Sequence, residues 1–351
     1  MYGDLDEFPT HQIVAPHGRV VAENPSWTDR YYFSTFAPDG GLILEMGIGA
    51  FPNADVLEGF ACASVRNGDQ RVQHNLRPSR PLGGKLLPLT AGPLSFEILE
   101  PQRRWRIRLA DNAQDFSYDL NLTWEGRPFE ADPIFFKDKK GNVITHVCHY
   151  VQRGRTSGVA RIGGHEYRLD GAVAFRDRSW GIRSTGEGGP SRGMLNWVPI
   201  SVGDDLIIYY LLEREDGTVT YLSGARLSVL SGEEERIASV KHDVNFESGS
   251  KIFKNGRIAL KFDSGRDLEF SMRKLGSLYL KGGGYHQGGH GIARGAEHVE
   301  GERWDISTVP QQQEVSVLND NISEFTFSDG RVGSGIYEIA IGRYPRYGFE
   351  S

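Results

Sequence analysis

Apolar and polar residues alternate with a period of two along much of the chain. In residues 116–124, phenylalanine, tyrosine, leucine and tryptophan occupy every second position. Residues 105–109 alternate in the same way, and the polar segment 111–115 separates the two runs. A strand with one buried face has this period, whereas a helix has a period of about 3.6. The pattern therefore predicts a β-hairpin, and almost no segment favours a helix of useful length.

The same arrangement returns later in the chain. A second hairpin is predicted within residues 258–272. Residues 31–44 and 195–210 each contain two apolar runs joined by a turn, and a further predicted strand follows each of them, at 60–66 and 218–230. Two similar meanders in the same order indicate an internal duplication, with loops of altered length between the copies.

The length of 351 residues exceeds what one hydrophobic core usually serves, so two domains are expected. We predict an all-β fold of two antiparallel barrels or curved sandwiches packed side by side, comprising residues 1–186 and 187–351. The glycine-rich segment 184–190 is the predicted boundary, and a last strand at 333–341 can pair with either half. Such barrels are filled by side chains or by one lipophilic ligand, and pockets favour the seam between two units.

Composition narrows the class of protein. The net charge of −6 does not favour a nucleic-acid partner. Cys62 and Cys148 lie in apolar surroundings and form neither a disulfide framework nor a CxxC motif. The acidic N-terminus does not have the features of a signal peptide, and no apolar run approaches ~20 residues. We expect a soluble, cytoplasmic protein without metal or cofactor, with a homodimer allowed.

Charge is concentrated in the segment 175–183, directly after a predicted strand. It contains three arginines, an aspartate and a tryptophan, namely Arg176, Asp177, Arg178, Trp180 and Arg183. Arginine stays protonated, so each guanidinium must face water, pair with a carboxylate or hold a ligand. Two interpretations remain open here: a solvated strand end fixed by an Asp177–arginine pair, and a ligand site.

Two further segments carry histidines. His149 lies in a predicted strand, on the face opposite to Cys148, and its ability to titrate near neutral pH makes it a candidate. The segment 285–298 contains His286 and His290 at a spacing that suits a metal on a helix. Its glycines disfavour a helix, so we interpret it either as a glycine-hinged loop over a pocket, which would also bring Arg294 there, or as an exposed loop.

Aromatic residues accompany these charged segments, among them Trp180, Trp197, Tyr209 and Tyr285. Aromatic rings can stabilise a carbocation, although most rings on strands belong to the core. The sequence has no P-loop, dinucleotide fingerprint or HExxH motif. Nucleotide binding and hydride transfer are therefore unsupported.

The run Asp177-Arg178-Ser179-Trp180-Gly181-Ile182-Arg183 resembles the signature of the carotenoid 1,2-hydratases (hydroxyneurosporene synthases). Their two-domain lipocalin-like relatives include fungal hydratases of prenyl groups and Diels–Alderases. Residues 333–338 and 344–349 are also similar to this group. The resemblance implies two lipocalin-like domains with a hydrophobic pocket, and it places Trp180 in the active site.

The chain departs from that pattern at two places. Arg178 stands where the hydratases have histidine, and Leu211 and Leu212 stand where an aspartate of a Tyr-x-Asp pair is expected. Arginine is a poor general acid because its pKa is far above neutral pH. Hydration of a carotenoid is therefore disfavoured, and another reaction in the same pocket is expected.

We expect an enzyme, a lyase or an isomerase or cyclase, acting at a C=C bond of a lipophilic small molecule. Terpenoid, steroid, prenylated and polyketide-like substrates all fit, by hydration or dehydration, isomerisation or cyclisation. The candidate catalytic residues are Arg178, His149, Asp177, Tyr209, His286 and His290. The candidate substrate-binding residues are Trp180, Arg183, Trp197, Tyr285 and Arg294.

Within this hypothesis Arg178 and Arg183 polarise a substrate oxygen, and Tyr209 or Tyr285 donates a hydrogen bond. One of the three histidines shuttles the proton, oriented by Asp177 or Glu297. Two alternatives stay open. One is a carrier of a hydrophobic ligand without catalysis, and the other is a carbohydrate-binding or carbohydrate-cleaving β-sandwich with a groove lined by tryptophans.

Overall fold

The period-two alternation of the sequence becomes antiparallel β-structure in the computed structural model. The model describes residues 7–9, 11, 14, 24, 26–83, 87–183, 193–286 and 289–350. The strands of the first half are β1 (Trp27–Phe36), β2 (Leu42–Phe51), β3 (Val56–Asn67), β4 (Gln70–Pro81), β5 (Leu89–Ala91), β6 (Leu94–Glu100), β7 (Arg104–Leu109), β8 (Phe116–Trp124), β9 (Phe129–Glu130), β10 (Ile134–Lys137), β11 (Val143–Ile162), β12 (His165–Arg168) and β13 (Ala172–Arg183).

The second half continues with strands of similar length. They are β14 (Met194–Val202), β15 (Asp205–Glu213), β16 (Val219–Ser228), β17 (Glu234–Phe246), β18 (Phe253–Phe262), β19 (Asp267–Tyr279), β20 (His298–Asp305), β21 (Asn319–Phe327) and β22 (Val332–Ile341). One short helix, α1 (Val309–Val315), begins after a capping box between Thr308 and Gln311. Short 3-10 turns occur at Pro52–Ala54, Leu280–Gly283 and Pro345–Tyr347.

The strands form two units. A 14-stranded sheet has the order β20-β4-β3-β2-β1-β13-β11-β8-β7-β6-β5, with β9, β10 and β12 paired to β11. The strands β14-β15-β16-β17-β18-β19-β21-β22 form a closed barrel, in which the last strand returns to pair with β14. The all-β fold of two lipocalin-like units is thereby confirmed, with a curled sheet for the first unit and a closed barrel for the second.

The hairpins expected from the alternation are present. β7 pairs with β8 and β18 pairs with β19, and the two meanders are β1-β2-β3 and β14-β15-β16. The predicted domain boundary lies outside the described residues. One strand of the later half, β20, joins the first sheet at the edge of β4, so the first unit includes a strand from the later half of the chain.

Each unit has its own packed core, and a third apolar cluster lies between them. Trp105, Leu120 and Phe33 belong to the core of the curled sheet, whereas Tyr209 and Phe325 belong to the core of the barrel. The cluster between the units joins residues from both, including Tyr32, Phe175, Trp197 and Ile336. The seam is therefore a packed interface, as the burial of apolar surface on both sheets requires.

Two groups of arginines differ in their burial. Arg104, Arg106 and Arg108 lie on the outer face of β7. For Arg176 and Arg178 the expectation of a solvated strand face is wrong, because both side chains are completely buried on β13. Both cysteines are buried thiols, in agreement with their apolar surroundings. Within the described part of the chain, no helix has the length and apolarity that crossing a membrane requires.

Candidate active site

The outer face of the barrel presents a row of polar and aromatic side chains to the seam. Tyr210 on β15, Trp197 on β14, Glu338 on β22 and Asp320 on β21 lie directly opposite one another in register across four adjacent strands. Residues at such paired positions point to the same face of a sheet. The alternation that sends Tyr209 into the barrel core therefore sends Tyr210 and its neighbours to the seam.

The curled sheet faces this row with its own polar positions. Tyr32 lies opposite Asp177, and Arg30 lies opposite Ser179, where β1 pairs with β13. Between the two faces is a cavity of about 90 Å³, here called the seam cavity. Its lining residues are Arg30, Tyr31, Tyr32, Asp177, Ser179, Arg183, Leu195, Trp197, Tyr210, Tyr285, Leu318 and Glu338.

Three carboxyl groups meet at the seam. Glu45 of β2 and Asp320 of β21 are fully buried, while Glu338 reaches the wall of the seam cavity. The Tyr32 hydroxyl donates a hydrogen bond to Asp320 Oδ2 over 2.6 Å, and the carboxyl groups of Glu45 and Glu338 lie close enough to Asp320 to influence its pKa. We refer to Glu45, Asp320 and Glu338 as the carboxyl cluster.

Protons must bind to the carboxyl cluster for these contacts to be favourable. Two carboxylates can hydrogen-bond only when one of them is protonated, and without protons both oxygens of Glu45 would have no donor. Burial, followed by the charge of Asp320, raises the pKa of Glu45 and of Glu338 well above the ordinary value. Burial raises the pKa of Asp320 to about 6, while its hydrogen bonds to Tyr32, Glu45 and Glu338 act in the opposite direction. Asp320 therefore ionises first, and Glu338 presents a neutral carboxylic acid to the cavity.

Two guanidinium groups complete the polar side of the seam cavity. Neither Arg30 nor Arg183 forms an ion pair with any residue in the described ranges. Arg30 lies 4.8 Å from the centre of the Tyr285 ring, in a cation–π contact. A guanidinium without a carboxylate partner, facing a cavity, is suited to hold a carbonyl, phenolate or carboxylate oxygen.

His290 fixes the position of Arg30. Its Nε2 lies 3.2 Å from an Arg30 nitrogen, and its Nδ1 lies 2.5 Å from Glu58 Oε1. Burial, together with the charge of Arg30, lowers the pKa of His290 to about 4. The imidazole is therefore neutral near pH 7, and its partners assign the proton to Nδ1, so that Nε2 accepts from Arg30. His290 also packs edge-on against Tyr285, with ring centres 4.9 Å apart.

Asp177 lines the cavity opposite the carboxyl cluster. Its Oδ1 lies 3.7 Å from His149 Nδ1, and His149 Nε2 lies 3.3 Å from the Tyr221 hydroxyl. His149 also packs edge-on against the ring of Tyr210 at 5.5 Å. Among the described residues Asp177 forms no ion pair with an arginine, and its carboxylate lies beside the imidazole of His149 instead. His149 thus lies behind Asp177 as seen from the cavity.

Arg178 and Trp180 lie on the opposite face of β13, inside the curled sheet. Arg178 forms a buried ion pair with Asp29 and lies 4.2 Å from the ring centre of Tyr31. Trp180 stacks on His11 with ring centres 4.0 Å apart. These two side chains therefore do not line the seam cavity, although the sequence analysis placed both of them at the substrate site.

The remaining predicted residues also divide by location. Trp197, Arg183 and Tyr285 line the seam cavity, whereas Tyr209 is buried in the barrel core. His286, Arg294 and Glu297 are exposed, and Arg294 pairs with Glu300 outside the cavity. Among the described residues, no group of three or more His, Cys, Asp or Glu is arranged to hold a metal ion.

Sequence reasoning missed several residues of this site: Arg30, Tyr32, Glu45, Tyr210 and Asp320. Glu45 is the single acid of β2, and Asp320 shares β21 with the exposed acid Glu324, so both resemble acids on an ordinary wet face. Glu338 lies within the segment 333–338 that carried part of the family resemblance, and this segment was the available signal. The register that brings Glu338 beside Asp320 could have been found by aligning β21 with β22 across their tight turn.

Solved structures share this architecture at low sequence identity. A protein assigned as an AttH from Nitrosomonas europaea aligns with a TM-score of 0.60 and 14% identity, over 93% of this chain and 98% of that chain. Kievitone hydratase from Nectria haematococca gives 0.46 and 10%, over 95% and 98%. CghA with Sch210972 gives 0.47 and 10%, over 96% and 97%. The structural neighbours thus include a hydratase, and likeness at this identity establishes the fold alone.

Sequence comparisons place the chain in a family. A search of curated proteins gives no match. The profile of one family, described as a family of unknown function (DUF8625), matches residues 3–350. This match spans nearly the whole chain, and both units of the fold lie within it. The chain therefore belongs to the family DUF8625.

Proposed function

We propose that the protein is an enzyme that transfers protons at a C=C bond of a small molecule bound in the seam cavity. The observation that supports this most strongly is Glu338. It is a carboxylic acid with a raised pKa at the cavity wall, backed by Asp320, and it faces a cavity that also contains the guanidinium of Arg183. Perturbed acids that combine burial with a specific partner in a cleft are typical of catalytic sites.

The residues divide into an acid side and a base side. Glu338 donates its proton to one carbon of the double bond, and a water molecule adds to the other carbon. Asp177, across the cavity and backed by His149, accepts the proton that this water loses. Glu45 returns a proton to Glu338 through the carboxyl cluster, and Asp177 releases the proton that it accepted to bulk water, from which the cluster is protonated again. In dehydration the same groups exchange roles, and isomerisation or cyclisation starts with the same protonation.

The lining favours a substrate with an aromatic or prenyl-like part and an oxygen. Trp197, Tyr32, Tyr210 and Tyr285 supply ring faces that stabilise positive charge as it develops on carbon. Arg183 holds an oxygen of the substrate. The cavity of about 90 Å³ is smaller than the roughly 300 Å³ or more of sites that bury a whole drug-sized ligand. The seam cavity would therefore enclose the reacting end of a terpenoid, prenylated, steroid or polyketide-like molecule.

Incubation in deuterated water tests this function across several substrate classes at once. Prenylated phenols, acyclic terpenoids and polyketide-like enones are incubated with the protein, and mass spectrometry detects deuterium bound to carbon. We expect incorporation or addition of water with one of these classes. Glu338→Gln should reduce the rate by roughly 10²-fold or more, since it keeps the shape of the side chain and removes the acid.

Glu324→Gln is the matched control for this experiment. Glu324 lies on β21, the same strand as Asp320, but in an exposed ion pair with Arg273. Its variant should retain the full rate. Equal rates of the wild type and Glu338→Gln would refute the assignment of the acid. A ligand that is retained tightly without any deuterium at carbon would instead identify a carrier.

The carbohydrate alternative lacks a specific observation in its favour. It calls for an open groove lined by several tryptophans, and Trp197 is the one tryptophan that the described residues contribute to the seam cavity. Proton transfer gives a role to the charged groups of the seam cavity as well as to its aromatic rings, so we prefer this function.

A further inference from the structure

A second carboxylate-binding arrangement lies inside the curled sheet, on the face of β13 that looks away from the seam cavity. The side chain of Glu7 is completely buried there. It pairs with the guanidinium of Arg176 and accepts hydrogen bonds from the Trp105 indole, from the Tyr150 hydroxyl at 3.1 Å and from the Gln102 backbone N–H at 2.9 Å. One carboxylate is thus held by four donor groups from the curled sheet and its loops.

The receptor part of this arrangement is built without Glu7. Gln152 Oε1 accepts two hydrogen bonds from Arg176, at 2.7 and 3.1 Å. Arg176 also lies over the rings of Trp124 and Tyr150, at 4.9 and 5.2 Å from their centres. Strands β7, β8, β11 and β13 provide all of these groups, so the guanidinium keeps its orientation whichever carboxylate it meets. We call the site formed by Arg176, Gln152, Trp105, Trp124 and Tyr150 the inner chamber.

The segment that supplies Glu7 makes further contacts of the same kind. The Phe8 carbonyl accepts a hydrogen bond from Arg178 at 2.9 Å, and His11 Nδ1 lies 3.3 Å from Arg178. His11 stacks on Trp180. Arg178, however, has its own carboxylate from the sheet, Asp29, whereas the carboxylate paired with Arg176 comes from this terminal segment. Arg176 is therefore the cation whose partner is brought in from outside the curled sheet.

We propose that the inner chamber is a binding site for a small aryl carboxylate and that Glu7 occupies it as an internal ligand. A buried cation without an anion is strongly unfavourable, so Arg176 requires an anionic partner, which in this structure is the carboxylate of Glu7. The rings of Trp124 and Tyr150 lie over Arg176, and the Trp105 indole donates to Glu7, so these neighbours favour a ligand whose remaining part is flat and apolar. A tethered group has an effective concentration in the millimolar range, so a free ligand must compete with Glu7.

Phenylacetate is a suitable probe, with neutral phenylacetamide as its isosteric control. Glu7→Gly removes the internal carboxylate together with the two methylene groups that carry it. We expect phenylacetate to raise the melting temperature of Glu7→Gly in a saturable way, and phenylacetamide to have no such effect. Isothermal titration calorimetry should give an affinity for Glu7→Gly at least about tenfold higher than for the wild type, in which Glu7 competes.

Two further variants locate the binding. The double variant Glu7→Gly/Arg176→Met replaces the buried pair without leaving a charge, a change that proteins often tolerate, and it should not respond to phenylacetate. The double variant Glu7→Gly/Arg183→Gln changes the seam cavity instead and should respond like Glu7→Gly. A response lost with Arg183 would place the probe in the seam and overturn the proposal.

The remaining outcomes are also decisive. An equal response of the wild type and Glu7→Gly, or no response of Glu7→Gly, would show that Glu7 is an anchor of the terminal segment without a ligand function. If Glu7→Gly fails to fold alone, folded protein must be recovered on refolding with phenylacetate and not with phenylacetamide for the proposal to stand. The seam cavity lies on the other face of β13, so its proposed catalysis does not depend on these results.

Discussion

Asp320 shows how a buried carboxylate is accommodated when its neighbours are acids rather than bases. Its negative charge meets the Tyr32 hydroxyl and the side chains of Glu45 and Glu338, which can donate because their own pKa values are raised. Charge-assisted hydrogen bonds of this kind are stronger than neutral ones. One shared negative charge thus keeps two protons close to the cavity, and the unfavourable part is the desolvation of Asp320 itself.

This desolvation makes stability depend on pH. The pKa of Asp320 is raised from 3.8 to about 6 in the fold, so the folded protein binds this proton more readily than the unfolded chain. The stability that this proton contributes to the fold is fully present below the ordinary pKa of 3.8 and is lost as pH rises through about 6. Asp320→Asn is uncharged at every pH. We expect its unfolding free energy, relative to that of the wild type, to increase by roughly 1–2 kcal/mol when the pH is raised from about pH 5 to about pH 8. Urea denaturation at both pH values measures this.

Glu324→Gln serves again as the matched control, because it lies on the same strand in an exposed ion pair. Exposed pairs contribute little, so its effect should stay within about 0.5 kcal/mol of zero at both pH values. A difference between Asp320→Asn and the wild type that does not vary with pH would mean that the charge of Asp320 is not the unfavourable element.

Strand β13 contributes side chains to both candidate sites, because one of its faces lies inside the curled sheet and the other lies at the seam. Arg176, Arg178 and Trp180 point into the curled sheet, while Asp177 and Ser179 point to the seam. A shift of one residue in the register would exchange these two sets completely. The register is held on both sides, by β1 and by β11, over almost the whole length of the strand.

Gly181 is the position at which β13 most clearly requires its residue type. Its φ is +135°, and a Cβ at this position would lie 2.1 Å from the carbonyl oxygen of His146 on β11. We expect Gly181→Ala to reduce the unfolding free energy by about 3 kcal/mol or more, because both strain and a backbone clash must be relieved. Chemical denaturation gives the value.

Gly171→Ala separates the two causes. Gly171 also has a positive φ, +76°, but nothing lies within 4 Å of the added Cβ. Its variant should therefore lose only about 1 kcal/mol. Equal losses for the two variants would show that the approach of β11 at His146 does not determine the conformation at Gly181.

The strands themselves could be predicted from the sequence, whereas the polar seam could not. The alternation in residues 116–124 is a local property of the sequence, and it was sufficient to predict the strand, its buried face and its hairpin partner. Glu45 and Asp320 have the same local pattern as any exposed acid, and they become buried only because two sheets dock over them. Arg176 and Arg178 illustrate the same limit, since their burial depends on the distant residues Glu7 and Asp29.

The two units are joined more strongly than two domains connected by a linker. An apolar cluster continues from one sheet to the other, with Tyr32 and Trp197 in edge-on contact at 5.6 Å. The pairing of β20 with β4 also crosses between the halves of the chain, and it covers what would otherwise be an edge of the curled sheet. The proposed acid and base sides of the seam cavity come from different units, so the cavity depends on this docking.

We therefore expect the protein to unfold as a single cooperative unit. Circular dichroism and tryptophan fluorescence should give coincident urea midpoints for the intact chain, because loss of either sheet exposes the apolar cluster of the other. The separate fragment 1–186 lacks β20 and would expose both the edge of β4 and the seam face, so it should aggregate alone and be recovered in a complex when produced together with 187–351. Two separate transitions, or a well-folded monomeric fragment 1–186, would mean that each unit is stable alone and that the seam cavity forms only by association.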